Sequence, residues 1–100
     1  MKCTLWIVGM VLLLGVGTAQ AGGDVAAGKT KAASCVACHG PNGEGVAPNP
    51  PLKGRTEAQF VQAMKDYKSG KRDHALMKGL ASALNDQDIE NLAAYYASLK

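Results

Sequence analysis

The sequence predicts a small all-α domain, and three observations indicate this fold class. Two stretches, 57–68 and 86–98, place apolar residues at helical spacing and follow side chains that cap helices. No stretch alternates apolar and polar residues as a strand does. All four prolines of the chain fall between residues 39 and 55, together with four glycines, which predicts one long loop between helical segments.

Residues 1–21 have the features of a cleaved signal peptide. Lys2 supplies a positive start, the run from Leu5 to Val16 is apolar, and Ala19-Gln20-Ala21 fits a cleavage site. The apolar run is shorter than the roughly 20 residues that a transmembrane helix needs. We therefore expect cleavage after Ala21, a periplasmic domain of residues 22–100 and no membrane span after cleavage. The alternative is an uncleaved anchor.

The first helix is predicted from Val25 to Cys38, with Asp24 as its N-cap. Gly28 and Ala32 are four residues apart in this stretch. They form a face of small residues, which another helix can approach closely. A tolerated glycine with no packing role is the alternative for Gly28.

The second helix is predicted from Glu57 to about Lys68, after Thr56 as its cap and before Ser69-Gly70 as its end. Its apolar face consists of Phe60, Val61, Met64 and Tyr67.

The last helix is predicted from Asp86 to Ser98, where Asn85 and Asp88 form a capping box. Its buried stripe consists of Ile89, Leu92, Ala93, Tyr96 and Leu99. The preceding stretch, 71–84, is less regular and predicts only a short helix from Leu80 to Leu84.

The stretch from Cys35 to His39 reads C-x-x-C-H, the pattern of covalent c-type haem attachment. Cys35 and Cys38 are one helical turn apart, so both thiols can reach the two vinyl groups of one haem. His39 can then supply an imidazole nitrogen to the iron. A proline carbonyl in the following loop is a natural acceptor for its second ring N–H, because proline has only a carbonyl to offer.

Two cysteines at this spacing also occur in three other kinds of site, and these alternative interpretations remain open. A thioredoxin-like redox pair normally lies near a βαβ pattern, which is missing in this sequence. A zinc site needs four ligands, and the mature chain offers only two cysteines with His39 and His74. A structural disulfide would account for the cysteines but not for the adjacent histidine.

The sixth coordination position of such an iron has several candidates. Met77 lies in an irregular stretch beside Gly79, where the backbone can bring a side chain to the haem face. Met64 lies on an apolar helix face, where core packing is the simpler role. His74 is a further candidate, although we expect it at the surface beside Asp73. An open site that binds a small molecule, or an accessory metal at His74, also remains possible.

The net charge and the length of the chain limit the classes of function that the protein can have. The formal net charge is +3, too weak for a nucleic-acid binder. Residues 53–78 carry seven basic and three acidic side chains, and such a region can steer an acidic partner, although an ordinary solvated face is the alternative. The 79 residues after the leader offer a modest core, so we expect the haem-free chain to be mostly unfolded.

From Asp24 to Leu99 the chain resembles a class I c-type cytochrome of the short bacterial mono-haem type. The resemblance rests on C-V-A-C-H-G from Cys35, the proline-rich loop from Pro48, K-S-G from Lys68, Met77, and the final L-N-D-Q-D-I run. It implies the class I cytochrome c fold, one haem c bound through two thioethers, and one-electron transfer rather than catalysis.

The resemblance also implies roles for particular residues. Met77, eight residues before the last helical N-cap, would be the axial ligand. Pro51, twelve residues after His39, would accept the second N–H of His39. The first and last helices would cross with Gly28 against Tyr95.

A second likeness concerns the partner. The run F-V-x-x-M-x-x-Y-K-S-G from Phe60 is similar to the cytochrome subunit of flavocytochrome c sulfide dehydrogenases. It implies an alternative function, in which a mono-haem subunit accepts electrons from a flavoprotein that oxidises sulfide. A freely diffusing carrier that serves other redox proteins is the first expectation.

Overall fold

A computed structural model describes residues 22–99, and the predicted signal peptide lies outside these residues. The described chain forms five helices: α1 Val25–Lys31, α2 Ala33–His39, α3 Glu57–Ser69, α4 Ala75–Ser82 and α5 Asp86–Ser98. Between residues 22 and 99 the only β-type pairing is an isolated bridge that joins Val46 and Asn49. The predicted all-α class is therefore confirmed. Within the same residues, no helix has both the length and the apolar character that crossing a membrane requires.

The helices with strong capping signals were predicted well. α5 has the predicted bounds, and Asn85 and Asp88 form the expected capping box. Thr56 caps α3, where Gln59 completes a second capping box. Gly70 ends α3 with a left-handed backbone at φ 81°, which glycine adopts without steric cost. In these places short-range hydrogen bonds determine where a helix starts and stops.

The prediction of one continuous helix from Val25 to Cys38 was wrong. The chain breaks at Ala32, which ends α1 and begins α2. The Ala32 carbonyl accepts hydrogen bonds from the N–H groups of both Cys35 and Val36, at 2.8 and 3.2 Å. Alanine is the best helix former, so the sequence contains no breaker at this position. The break separates α2, which carries the C-x-x-C-H motif, from α1.

The start of the helix that contains Met77 was also predicted incorrectly. Met77 lies within α4, which starts five residues before the predicted Leu80. The N-cap is His74, whose Nδ1 accepts the N–H of Met77 at 3.2 Å. Because histidine is not among the usual capping residues, the sequence pattern did not reveal this start.

α1 crosses α5 at a close approach, as the small-residue face predicted. Gly28 and Ala32 are both buried. A Cβ atom on Gly28 would overlap the backbone of Asn91 and would lie 2.7 Å from the Cβ of Tyr95. The implied contact between Gly28 and Tyr95 is thus confirmed. Asn91 strengthens the crossing, because its Oδ1 accepts the backbone N–H of Asp24 at 2.8 Å.

Replacing Gly28 by alanine is expected to lower the free energy of unfolding by about 1–3 kcal/mol, the usual cost of overpacking a core. The new methyl group meets backbone atoms, which cannot move aside as a flexible side chain can. Denaturant unfolding of the haem-loaded protein measures the change.

Gly79→Ala is the matched control, since Gly79 also lies in a helix but a Cβ there meets no atom within 4 Å. It should stabilise the protein by about 0.5–1 kcal/mol through helix propensity. Equal effects of the two substitutions would contradict a tight helix crossing at Gly28.

Candidate haem site

The C-x-x-C-H motif lies on α2, where its three reactive side chains border one cavity. The side chains of Cys35 and Cys38 are half-buried free thiols, and His39, the last residue of α2, is buried. The cavity encloses about 80 Å³. Its lining is mostly apolar and includes Leu52, Phe60, Met64, Tyr67, Leu76, Met77, Leu80 and Leu84.

His39 is held in one orientation and one tautomer. Its Nδ1 lies 2.7 Å from the carbonyl oxygen of Pro50. A carbonyl can only accept, so Nδ1 carries the proton and donates it. The lone pair is therefore on Nε2, which is the form that a metal ligand requires.

The prediction that Pro51 orients His39 was wrong, because Pro50 does so. The two prolines are adjacent, and counting twelve residues from His39 selected the wrong one. The carbonyl of Pro51 instead accepts a hydrogen bond from Arg55 Nε at 3.1 Å. The chemical role was predicted correctly, but which of two neighbouring carbonyls points at the imidazole depends on the path of the loop.

The loop after His39 is fixed by hydrogen bonds within itself and to α2. The N–H of Gly45 donates to the His39 carbonyl at 2.7 Å, and Asn49 Nδ2 donates to the Cys38 carbonyl at 2.9 Å. These contacts satisfy carbonyl groups that α2 leaves free at its C-terminus. Asn49 also lines the cavity, and its role was not predicted because an asparagine in a proline-rich loop has no distinctive pattern.

Glu44 adds a negative charge to this loop. Hydrogen bonds from its own backbone N–H and from that of Asn42, with Lys53 nearby, hold the pKa of the Glu44 carboxyl below its ordinary value. A Cβ on Gly40 would lie 2.6 Å from the Glu44 carboxyl carbon, and Gly40 itself has a φ of 92°. The carboxylate therefore packs on the turn that follows His39 and depends on the glycine there.

Both candidate methionines reach the cavity. Met77 is half-buried and Met64 is buried in the core, with 5% of its surface exposed. Each lines the main cavity and also a smaller inner cavity of about 20 Å³ beside His39. His74 is exposed, as predicted, and its Nδ1 is engaged in capping α4. His74 also lines the main cavity, so the geometry leaves two thioethers and the Nε2 of His74 as candidates for the sixth position of an iron bound to His39.

The residues present fit a c-type haem. The cavity combines two thiols on one helical turn, an imidazole with a free Nε2, an apolar lining and a methionine sulfur. Arg55, which was not singled out from the sequence, lines the inner cavity and can hold an acidic substituent of the haem.

Within residues 22–99, no three His, Cys, Asp or Glu side chains converge as a metal site, so the zinc alternative and an accessory metal at His74 have no support there.

Comparisons with known proteins agree with this chemistry. The family model described as Cytochrome c matches residues 25–100. A cytochrome c4 from Pseudomonas aeruginosa is 49% identical over 96 residues, which cover 94% of this chain and 48% of that protein. A cytochrome c-554(548) from Halomonas halodenitrificans is 45% identical over 80 residues, which cover 76% of this chain and 96% of that protein.

The solved structures give the same result for the fold. The reduced recombinant cytochrome c4 from Pseudomonas stutzeri superimposes with a TM-score of 0.72 at 39% identity. The match covers 78% of this chain and 46% of that one. The chain thus spans about half the length of its cytochrome c4 relatives, whereas its match to the cytochrome c-554(548) covers nearly all of that protein.

Proposed function

Because the chain belongs to the cytochrome c family, we propose that it is a carrier of single electrons that uses one covalently bound haem c. The family implies haem c, and the single C-x-x-C-H motif supports a count of one haem per chain. Cys35 and Cys38 would hold the haem through two thioethers. His39 would bind the iron from one side and Met77 from the other.

The observation that carries the proposal is the hydrogen bond from His39 to Pro50 at the edge of the cavity. It holds a buried imidazole with Nε2 free, next to two thiols on the same helical turn. A redox-active cysteine pair or a disulfide would not need this histidine. The acceptor on Nδ1 also fixes the orientation of the ring, as hydrogen-bond partners of metal-bound histidines do.

The sixth ligand determines what the site can do. The haem supplies a reversible one-electron couple at its iron. The Met77 thioether is a soft, neutral ligand, and His/Met coordination raises the potential relative to two histidines. With His39 and Met77 in place, this chain's own side chains occupy the two positions at which a substrate could bind. The apolar lining keeps water from the site, which favours electron transfer with little rearrangement.

Voltammetry of the haem-loaded protein tests the proposed function. We expect one reversible one-electron wave, and haem analysis should give one haem per chain. Addition of carbon monoxide to the reduced protein should leave its absorption spectrum unchanged, because both axial positions are filled by the protein. Rapid formation of a carbon monoxide adduct would contradict the proposal and would favour an enzyme or gas sensor with an open sixth site.

We further propose that the partners are redox proteins of the periplasm. The export pattern of residues 1–21 supports this location. The basic side chains between residues 53 and 78 are exposed or half-exposed and can attract an acidic partner: Lys53, Arg55, Lys65, Lys68, Lys71, Arg72 and Lys78. The alternative of a flavoprotein-bound subunit is not favoured, because close relatives are named as cytochromes c4 and c-554(548).

A further inference from the structure

The hydroxyl group of Tyr96 is a buried polar group without a partner. Only 1% of the surface of Tyr96 is exposed, and among the described residues its Oη forms no hydrogen bond. Most buried side-chain polar atoms form hydrogen bonds, because an unpaired one loses its hydrogen bonds to water and gains none in exchange. A hydroxyl left in this state therefore indicates a missing or weak acceptor nearby.

The ring of Tyr96 is fixed on several sides. The Phe60 ring lies 5.7 Å away and the Tyr95 ring 5.1 Å away, measured between ring centroids. A Cβ on Gly43 would lie 2.5 Å from Cε1 of Tyr96, so the loop after His39 packs directly on the ring edge. Rotation of the side chain toward water is prevented by these contacts.

Cys35 is the candidate acceptor for this hydroxyl. Its side chain packs against the core cluster that contains Tyr96 and also lines the haem cavity. Burial raises the pKa of the Tyr96 phenol, and the neighbouring Cys35 thiol raises it further. Tyr96 itself is not part of the cavity lining, so an effect of its hydroxyl on the site must pass through a residue that borders both the core and the cavity, as Cys35 does. A sulfur atom is a weak acceptor, which fits a hydroxyl with no stronger partner.

We propose that Tyr96 is a positioning residue whose hydroxyl donates a hydrogen bond to the sulfur of Cys35 once that sulfur has become a thioether. This inference rests on the proposed haem attachment. The bond would hold Cys35 in the rotamer that faces the cavity. It would also draw electron density from the thioether, which favours the reduced iron. Tyr96 thus raises the potential of the site without touching the iron.

The test is Tyr96→Phe in the haem-loaded protein, a change that removes only the hydroxyl. We expect the midpoint potential and the midpoint denaturant concentration both to fall. Tyr95→Phe is the matched control: it makes the same change on the adjacent ring, and it should leave the potential unchanged. In the unsubstituted reduced protein, proton NMR should show a slowly exchanging Tyr96 hydroxyl proton close to the β-protons of Cys35.

The outcomes separate this inference from the haem assignment. Haem content and the carbon monoxide result depend on Cys35, Cys38, His39 and the sixth ligand, and they should be the same in wild type and Tyr96→Phe. An unchanged potential in Tyr96→Phe would overturn the inference even if the haem is bound as proposed. A gain in stability on loss of the hydroxyl would overturn it as well, because that result is typical of a hydroxyl with no acceptor.

Discussion

Replacing Met77 by alanine is expected to remove the absorption band at the red end of the ferric spectrum, which is typical of charge transfer between a thioether and iron. The midpoint potential should fall by an amount on the order of 0.1 V, within the roughly 0.8 V range that axial ligands cover. Loss of the soft thioether removes the preference for reduced iron. The reduced variant should also bind carbon monoxide, because one axial position has opened.

Met64→Leu is the control for this prediction. Met64 is buried in the core and lines the same cavities as Met77, so it is the other sulfur that could reach the iron. Methionine-to-leucine exchange conserves volume and usually costs less than about 1.5 kcal/mol. The band should therefore survive in Met64→Leu. If the band disappears in that variant and remains in Met77→Ala, the ligand is Met64.

The substitution His74→Asn tests His74, the remaining candidate for the sixth ligand of the iron. Asparagine is a good N-cap, so it can replace the acceptor that His74 offers to the Met77 N–H at the start of α4. We expect this variant to keep both the band and the potential. A large spectral change in His74→Asn, with a normal fold, would identify the histidine as the ligand.

The helices could be predicted where their ends are determined locally. Asn85 and Thr56 have capping partners three residues away, so a short stretch of sequence contains the whole signal. The break at Ala32 has no such signal, because Ala32 is buried in the core and its neighbours in space determine its backbone. The start of α4 was missed for a related reason, since His74 caps through an unusual side chain.

The same distinction applies to the candidate site. Cys35, Cys38 and His39 are adjacent in sequence, so spacing alone indicates their chemistry. The partner of His39 lies eleven residues away, across a loop whose path decides between two neighbouring prolines. Tyr96 lies on α5, and no pattern in the sequence shows that its side chain belongs to the core cluster against which Cys35 packs. Contacts between distant segments depend on packing, which a linear pattern does not contain.

Without haem, the chain of residues 22–100 is expected to be mostly unfolded. Of the eleven buried apolar residues among residues 22–99, five are alanines, which contribute little apolar area. The haem cavity encloses about 80 Å³. At about 24 cal/mol per Å³, a cavity of this size costs roughly 2 kcal/mol when it is empty. That is a large fraction of the total stability of a small domain.

Circular dichroism of the chain produced without haem measures this effect, with the haem-loaded protein as the reference. The haem-loaded protein should show strong helical ellipticity and one cooperative thermal transition. The haem-free chain should show weak ellipticity and a gradual, non-cooperative change on heating. A helical, cooperatively melting haem-free chain would mean that the crossing of α1 and α5 around Gly28 is stable by itself. The haem would then bind to a formed domain, and its attachment would not be coupled to folding.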